Sequence, residues 1–300
     1  MPKTLGQVQD LPLRRVLDHH MKLGKFSLHY CTDGLFHLDG GAMFGVVPRV
    51  LWEKLCPPDE KNRIAMALGC LLIQTGERDI LVDTGIGNKG DEKFHRIYGV
   101  KRSPPLENSL AQHGLTFHDI DIVINTHLHM DHAGGNTFSW EGCVMPCFSK
   151  AKYIIQKGEW ESATNPNERT RASYSGENFL SLEEGGQLEL VEDKELEIEK
   201  GITLLRTGGH TPFHQCVKIE SNGQVALFLA DLVPMAGHLH LPYIQGYDLY
   251  PLETLEAKRR LLGQALEEKW LVIFQHDPGV EAGYIMKIDD KFTLKKGIKL

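Results

Sequence analysis

Thr126-His127-Leu128-His129-Met130-Asp131-His132 sets three imidazoles and a carboxylate into six positions, directly after the apolar run Ile122-Val123-Ile124. Side chains two apart on an extended segment project to the same face, so His127 and His129 can grip one cation while Leu128 and Met130 turn away. A bend at Asp131-His132 would aim that adjacent pair toward a second cation, and the small residues Ala133-Gly134-Gly135 would let a helix or turn begin close by. The plainer reading is scattered surface histidines or hydrogen-bonded core ones. Fifteen histidines among 300 residues make three in six positions, with an aspartate between them, a poor accident. Imidazole and carboxylate suit Zn²⁺, Fe, Mn or Co, and a donor set without cysteine argues against a closed structural zinc site.

This His-x-His-x-Asp-His run resembles the metallo-β-lactamase superfamily of metal-dependent hydrolases. The resemblance implies a later histidine, an aspartate and a last histidine, matched in order by His210 in Thr207-Gly208-Gly209-His210, Asp231 in Phe228-Leu229-Ala230-Asp231 and His276 in Phe274-Gln275-His276. Each follows an apolar stretch, so the seven residues would gather at one edge of a sheet. By the same resemblance His127, His129 and His210 hold one metal, Asp131, His132 and His276 hold the other, and Asp231 bridges them. Two divalent ions, Zn²⁺ first among them, would share a water whose pKa falls from about 15.7 to about 7, and the resulting hydroxide would attack an electrophilic carbon or phosphorus. Asp131 and Asp231 are then the catalytic pair, Asp131 as a proton shuttle. Asp83 in Asp83-Thr84-Gly85 matches a turn that lies beneath the metals in the superfamily, where its carboxylate can accept from a ligating imidazole.

The implied fold is an α/β (α+β) four-layer αβ/βα sandwich of metallo-β-lactamase type. Within it, Asp231 disfavours β-lactam cleavage, because the lactamases usually lack a bridging aspartate. The short stretch after His276 leaves little room for the helical region of the thioester-cleaving glyoxalase II type, which stays an alternative. The chain is most similar to the stand-alone lactonases that open acyl-homoserine lactones and to organophosphate and aryl-ester hydrolases, so the expected substrate is a small ester or lactone. Many such lactonases place a tyrosine three after the bridging aspartate; this chain has Pro234, and Tyr243 or Tyr247 would have to substitute. His214, His238 and His240 fall outside the family pattern and are expected to line the substrate pocket rather than bind metal, with His19, His20, His95, His113 and His118 on the surface. An iron-dependent dioxygenase at the same donors and a non-catalytic binding module are the rival readings.

The elements that must position these groups are legible in outline. A 41% hydrophobic content and the absence of any Ser/Pro-rich or like-charge linker predict one domain over 1–300. A formal charge of −7 and no basic stripe argue against a nucleic-acid or anionic-membrane partner. Met1 to Gln7 carries no export signal and no run is long enough to span a bilayer, so the expectation is a cytoplasmic protein with six reduced, mostly buried thiols.

Lys25 to Thr32 and the two runs flanking Gly76 read as hairpin strands. Leu106 to His113 reads as a helix, Asp119 to Asn125 as the strand entering the motif, and Tyr153-Ile154-Ile155 as a further strand. Leu188-Leu190, Thr203-Leu205, Gln215-Ile219 and Val225-Leu229 read as a second sheet. Thr254 to Glu268 is an amphipathic helix with Leu255, Leu261, Leu262, Ala265 and Leu266 inward and Lys258 and Arg259 elsewhere. Ala42 to Trp52, broken by Gly45 and Pro48, reads as a loop whose Phe44 and Trp52 lean over a pocket, or equally as an ordinary core segment or the contact of a homodimer.

Overall fold

The computed structural model describes residues 21–300, so the expectations for Met1 to Gln7, His19 and His20 lie outside the described residues. The first sheet contains β1 (Met21–Leu23), β2 (Phe26–Asp39), β3 (Arg63–Gln74), β4 (Asp79–Val82) and β5 (Ile122–Ile124). A small hairpin, β6 (Thr137–Trp140) with β7 (Cys143–Pro146), follows, and then β8 (Lys152–Gln156) and β9 (Leu188–Val191) complete the sheet in the order β1-β2-β3-β4-β5-β8-β9. Its first four strands are antiparallel, and β4, β5, β8 and β9 run parallel.

The second sheet takes β10 (Glu195–Glu199), β11 (Ile202–Arg206), β12 (Gln215–Ser221), β13 (Gln224–Phe228), β14 (Leu271–Ile273), β15 (Ala282–Ile288) and β16 (Lys291–Ile298) in chain order. Only β13 and β14 pair in parallel there.

Alternation along each strand builds the layers. In β3, Leu71 and Ile73 face the second sheet and pack with Leu28, Ile80 and Val82 against Ile202, Leu204, Val217, Phe228 and Ile273. Cys70 and Leu72 face outward onto α4 (Leu106–Ala111), α6 (Lys157–Thr164) and α7 (Leu180–Glu184), a face closed by Leu110, Trp160 and Leu182. The outer face of the second sheet packs Cys216, Leu227 and Val272 on Leu261, Leu262 and Ala265 of α8 (Pro251–Glu267). Helix, sheet, sheet and helix thus stack as the expected αβ/βα sandwich. No helix among the described residues is long and apolar enough to cross a membrane.

Three local expectations change, and one strand is unexpected. Leu188–Val191 joins the first sheet, paired in parallel with β8, because a crossover through α6 and α7 returns the chain to the same sheet. The charged run Glu195–Glu199 is a strand whose Leu196 and Ile198 pack on the central core. Ala42 to Trp52 is not a loop: it forms two short helices, α1 (Gly40–Phe44), capped by the Asp39 carboxylate, and α2 (Arg49–Trp52). Lys258 is fully buried on α8, on the apolar face rather than away from it.

Candidate metal centre

The site forms where the carboxyl ends of the strands meet. His127 to His132 follows β5, Asp83 follows β4, His210 follows β11, Asp231 follows β13 and His276 follows β14. The sheets are tied together at this edge: Ala67 N of β3 donates to His276 O at 2.9 Å, and Gln215 N of β12 donates to Thr126 O at 3.0 Å. His129 caps the one-turn helix α5 (Met130–Ala133), which swings Asp131 and His132 away from the direction of the preceding pair. Gly208 and Gly209 take positive φ of 63° and 86° in the turn before His210, and a Cβ on Gly209 would meet Thr254 at 2.4 Å. Asp83 and Ala230 hold positive φ of 57° and 45° without being glycine, strain stored beside the site.

All seven side chains converge. Their nitrogens and oxygens form three overlapping groups able to hold a cation: His127 with His129 and His210, His127 with His132 and Asp231, and Asp131 with His132 and His276. The two oxygens of Asp231 face different partners, Oδ2 lying 3.0 Å from His210 Nε2 and Oδ1 lying 3.1 Å from His276 Nε2 and 3.6 Å from His132 Nε2. Asp131 Oδ2 stands 3.7 Å from both His132 Nε2 and His276 Nε2. Burial holds the His127 and His129 pKa values well below the usual histidine range, with the neighbouring imidazoles adding to the effect.

The outer nitrogens of the rings settle which atoms face inward. His132 Nδ1 donates to Asp83 Oδ2 at 2.9 Å, His276 Nδ1 to Ala67 O at 2.7 Å, and His210 Nδ1 to Asp248 Oδ1 at 2.8 Å. The Thr126 hydroxyl donates to Asp83 at 2.7 Å and therefore accepts from His127 Nδ1 at 3.2 Å, leaving His127 Nε2 buried with no partner. While neutral, each of these rings turns an Nε2 lone pair inward; against the pull of burial, the Asp131 and Asp231 carboxylates raise the His132 pKa and those of Asp231 and Asp248 raise the His210 pKa, so the pocket draws positive charge. His132 Nε2 and His276 Nε2 then oppose each other at 3.2 Å, lone pair to lone pair, a repulsive contact unless a positive charge sits between them. Two nitrogens at about 2.0–2.1 Å from one tetrahedral ion stand about 3.3 Å apart. The residues fit a metal.

Supporting groups come from several elements. The Asp83 carboxylate accepts from Thr126 N, Thr126 Oγ1, His132 Nδ1 and Gln275 Nε2. Sequence reasoning missed Asp248, which accepts from His210 and, at 2.7 Å, from Thr254 of α8. It also missed Glu159 of α6, a buried carboxylate accepting from Leu128 N at 3.1 Å, Thr211 Oγ1 at 2.6 Å and Tyr174 hydroxyl at 2.9 Å. Glu159 thereby links the His127-His129 segment to the turn carrying His210. Burial raises its pKa, against the pull of those three donors.

An open cleft of about 800 Å³, counting its mouth, lies over the centre and reaches His129, Asp131, His210 and Asp231. Leu38, Met43, Met66 and Leu249 give it an apolar wall, Tyr98 and Tyr247 bring phenols to it, and Arg169 donates to Gly246 O at 3.0 Å across its rim. Tyr247 therefore lines the cleft, and the other expected lining residues do not. Phe44 and Trp52 are buried and stacked at 5.4 Å, because adjacent helical positions diverge and Met43 is the one turned to the cleft. His238 stacks on Phe44 at 4.3 Å behind the wall and bonds Met43 O, while Tyr243 packs edge-on against Phe44 and lies 5.1 Å from the His240 ring. His214 is a buried support: its Nε2 accepts from Asp231 N at 3.2 Å and its Nδ1 donates to Thr207 at 2.6 Å. Burial pushes its pKa down to about 3, so it stays neutral in that role.

The sequence pattern of the metallo-beta-lactamase superfamily matches residues 70–144. An N-acyl homoserine lactonase of a Bacillus species is 30% identical over 227 residues, spanning 71% of this chain and 82% of that protein. A probable metal-dependent hydrolase from Staphylococcus aureus superposes with a TM-score of 0.86 at 33% identity, covering 93% of this chain and 99% of its own. A variant of the B. thuringiensis lactonase AiiA, with N-decanoyl-L-homoserine bound at the active site, superposes with a TM-score of 0.65 at 25% identity over 86% of this chain and 95% of its own. By these likenesses and by the fold that carries its histidine and aspartate cluster, the chain belongs to the metallo-β-lactamase superfamily, as one of its lactonase-like hydrolases.

Proposed function

We propose that the chain, acting as one catalytic unit, is a dinuclear metal hydrolase that opens a small ester or lactone, with N-acyl homoserine lactones the first class to test. The observation that carries the reading is the pair of Asp231 oxygens, one turned to His210 and the other to His132 and His276. His127, His129 and His210 would hold one ion, Asp131, His132 and His276 the other, and Asp231 would serve both. A donor set of oxygen and nitrogen alone suits Zn²⁺, with Fe, Mn and Co as the competitors. When bound, such ions supply Lewis acidity, lowering the pKa of a water to about 7 and polarising a carbonyl oxygen.

The chain's own groups do the rest. Asp131 lines the cleft with its carboxylate beside His132 and His276, within reach of a proton from the attacking water that it can return to the leaving oxygen. The Tyr247 hydroxyl, whose pKa burial pushes up to about 12, stays protonated and can donate to the substrate carbonyl oxygen. The apolar wall of Leu38, Met43, Met66 and Leu249 suits an acyl chain. Six unpaired cysteines suit the reducing cytoplasm.

A panel of lactones, aryl esters, phosphotriesters, thioesters and β-lactams, run on metal-replete protein beside metal analysis, tests this reading. Lactones or esters are expected to lead, with two metal equivalents per chain. Turnover confined to β-lactams, or one iron per chain with oxygen uptake, would overturn it.

A further inference from the structure

Lys258 is a fully buried lysine on the apolar face of α8, among Ala257, Leu261, Leu262 and Ala265. An ammonium in such a place is costly unless its protons are accepted. Its Nζ donates to the carbonyl oxygens of His238 and Tyr243 at 2.7 Å each, of His240 at 3.1 Å and of Leu241 at 3.3 Å. Its direct partners are carbonyls rather than a carboxylate. Four carbonyl dipoles from one six-residue stretch converge on a single point, and although His240 O also accepts from Tyr243 N, the carbonyls of His238, Leu241 and Tyr243 would be left unpaired and mutually repelling without a positive charge at its centre. Burial draws the Lys258 pKa down to about 7, with the Asp248 charge pulling the other way; the ring of acceptors favours the protonated form.

The wrapped stretch stands immediately behind the cleft wall. His238 Nε2 bonds Met43 O, Gly246 N donates to Ala42 O at 2.8 Å, and Gln245 Nε2 donates to Asp231 O at 2.9 Å. Gly45 takes a φ of 55° where a Cβ would meet Ile244 O at 2.7 Å, so the helix bearing Met43 and this stretch are fitted closely. Gln245, Tyr247 and Leu249 then line the cleft, and Asp248 holds His210. Beyond short 3₁₀ turns the segment 232–250 has no regular secondary structure to fix its course.

We propose that Lys258 is a positioning residue, an internal cation around which residues 238–249 fold to shape the substrate cleft without touching substrate. The inference deepens the hydrolase reading and rests on it only for the choice of substrate. An uncharged side chain of similar length should loosen the wall and weaken substrate fit, while Asp248, held also by Thr254 of α8, keeps its bond to His210.

The test compares full-length, metal-replete wild type with Lys258→Met. For the best substrate of the panel, KM is expected to rise about tenfold while kcat stays within about threefold, the signature of lost uniform binding. Metal content should hold, and amide hydrogen exchange should quicken in 238–249 but not along α8. Unchanged KM with unchanged exchange overturns the proposal, as does a fall in kcat and melting temperature with KM intact, which is a purely structural role. If Lys258→Met does not fold, Lys258→Arg replaces it: a bulkier cation should raise KM several-fold at constant metal content, and wild-type KM in that variant overturns the idea. The exchange measurement needs no substrate, so an inactive panel would sink the hydrolase reading and leave the loop result to decide this one.

Discussion

One side of the centre is held by sheets and the other by connecting segments. His132 leans on Asp83 at the end of β4, His276 on Ala67 in the middle of β3, and Asp83 also binds Gln275 beyond β14. Their supports lie in a strand or directly past a strand's end, where the core fixes the backbone. His210 has no such neighbour. It takes its orientation from Asp248, itself in an irregular segment, and its turn is tied to the His127-His129 segment through Glu159 on an outer helix. Both sides use a buried carboxylate, and the difference lies in its anchor: Asp83 is fixed at the end of the strand it follows, Asp248 by a helix residue, Thr254.

Four tests sharpen or break that contrast. Asp231→Asn acts on both sides at once and should lower kcat on the order of 10³-fold, with metal loss seen by elemental analysis; retained kcat with one metal missing would mean that the sides work independently. Asp83→Asn and Asp248→Asn should each cost about 10- to 100-fold in metal affinity or activity, as losses of groups that orient metal-holding imidazoles do. Only Asp83→Asn should also lower the melting temperature clearly, since it disturbs four donors between strands and a stranded buried partner costs about 1–3 kcal/mol. Equal melting temperatures for the two would erase the distinction. Glu159→Gln turns one acceptor into a donor facing Leu128 N, Tyr174 or Thr211, and should lose metal faster to a chelator, with a stability cost of about 1–3 kcal/mol. Tyr247→Phe, on the cleft wall, should cost only about fivefold in kcat/KM, the worth of one hydrogen bond of about 1 kcal/mol.

The same contrast marks what could be read in the chain. The seven converging residues are legible because each follows an apolar strand and because their order matches a family pattern. Asp83 shares that advantage, as the residue that ends an apolar run. Glu159 and Asp248 sit in polar stretches, where a carboxylate that will be buried looks like its solvated neighbours; only folding reveals Thr211, Leu128 and Thr254 beside them. Lys258 does leave a signal. Positions 254, 258, 261, 262 and 265 share one helical face, and a reading that lets residue type outweigh spacing turns the lysine outward. Leu188–Val191 goes astray for another reason, since strand periodicity does not tell which of two sheets a crossover returns to. Large aromatics such as Phe44 and Trp52 suit either a wall or a core, and their stacking at 5.4 Å puts them in the core.

The cleft rim is made of residues 169–173 and 245–249, outside both sheets, while the seven converging side chains begin at strand ends. Inheritance can therefore act on the two separately. Descendants of this chain could acquire or lose rim residues such as Arg169, Thr170, Tyr247 and Leu249, and so exchange one substrate for another, provided Gln245 and Asp248 keep their bonds to Asp231 and His210 beneath.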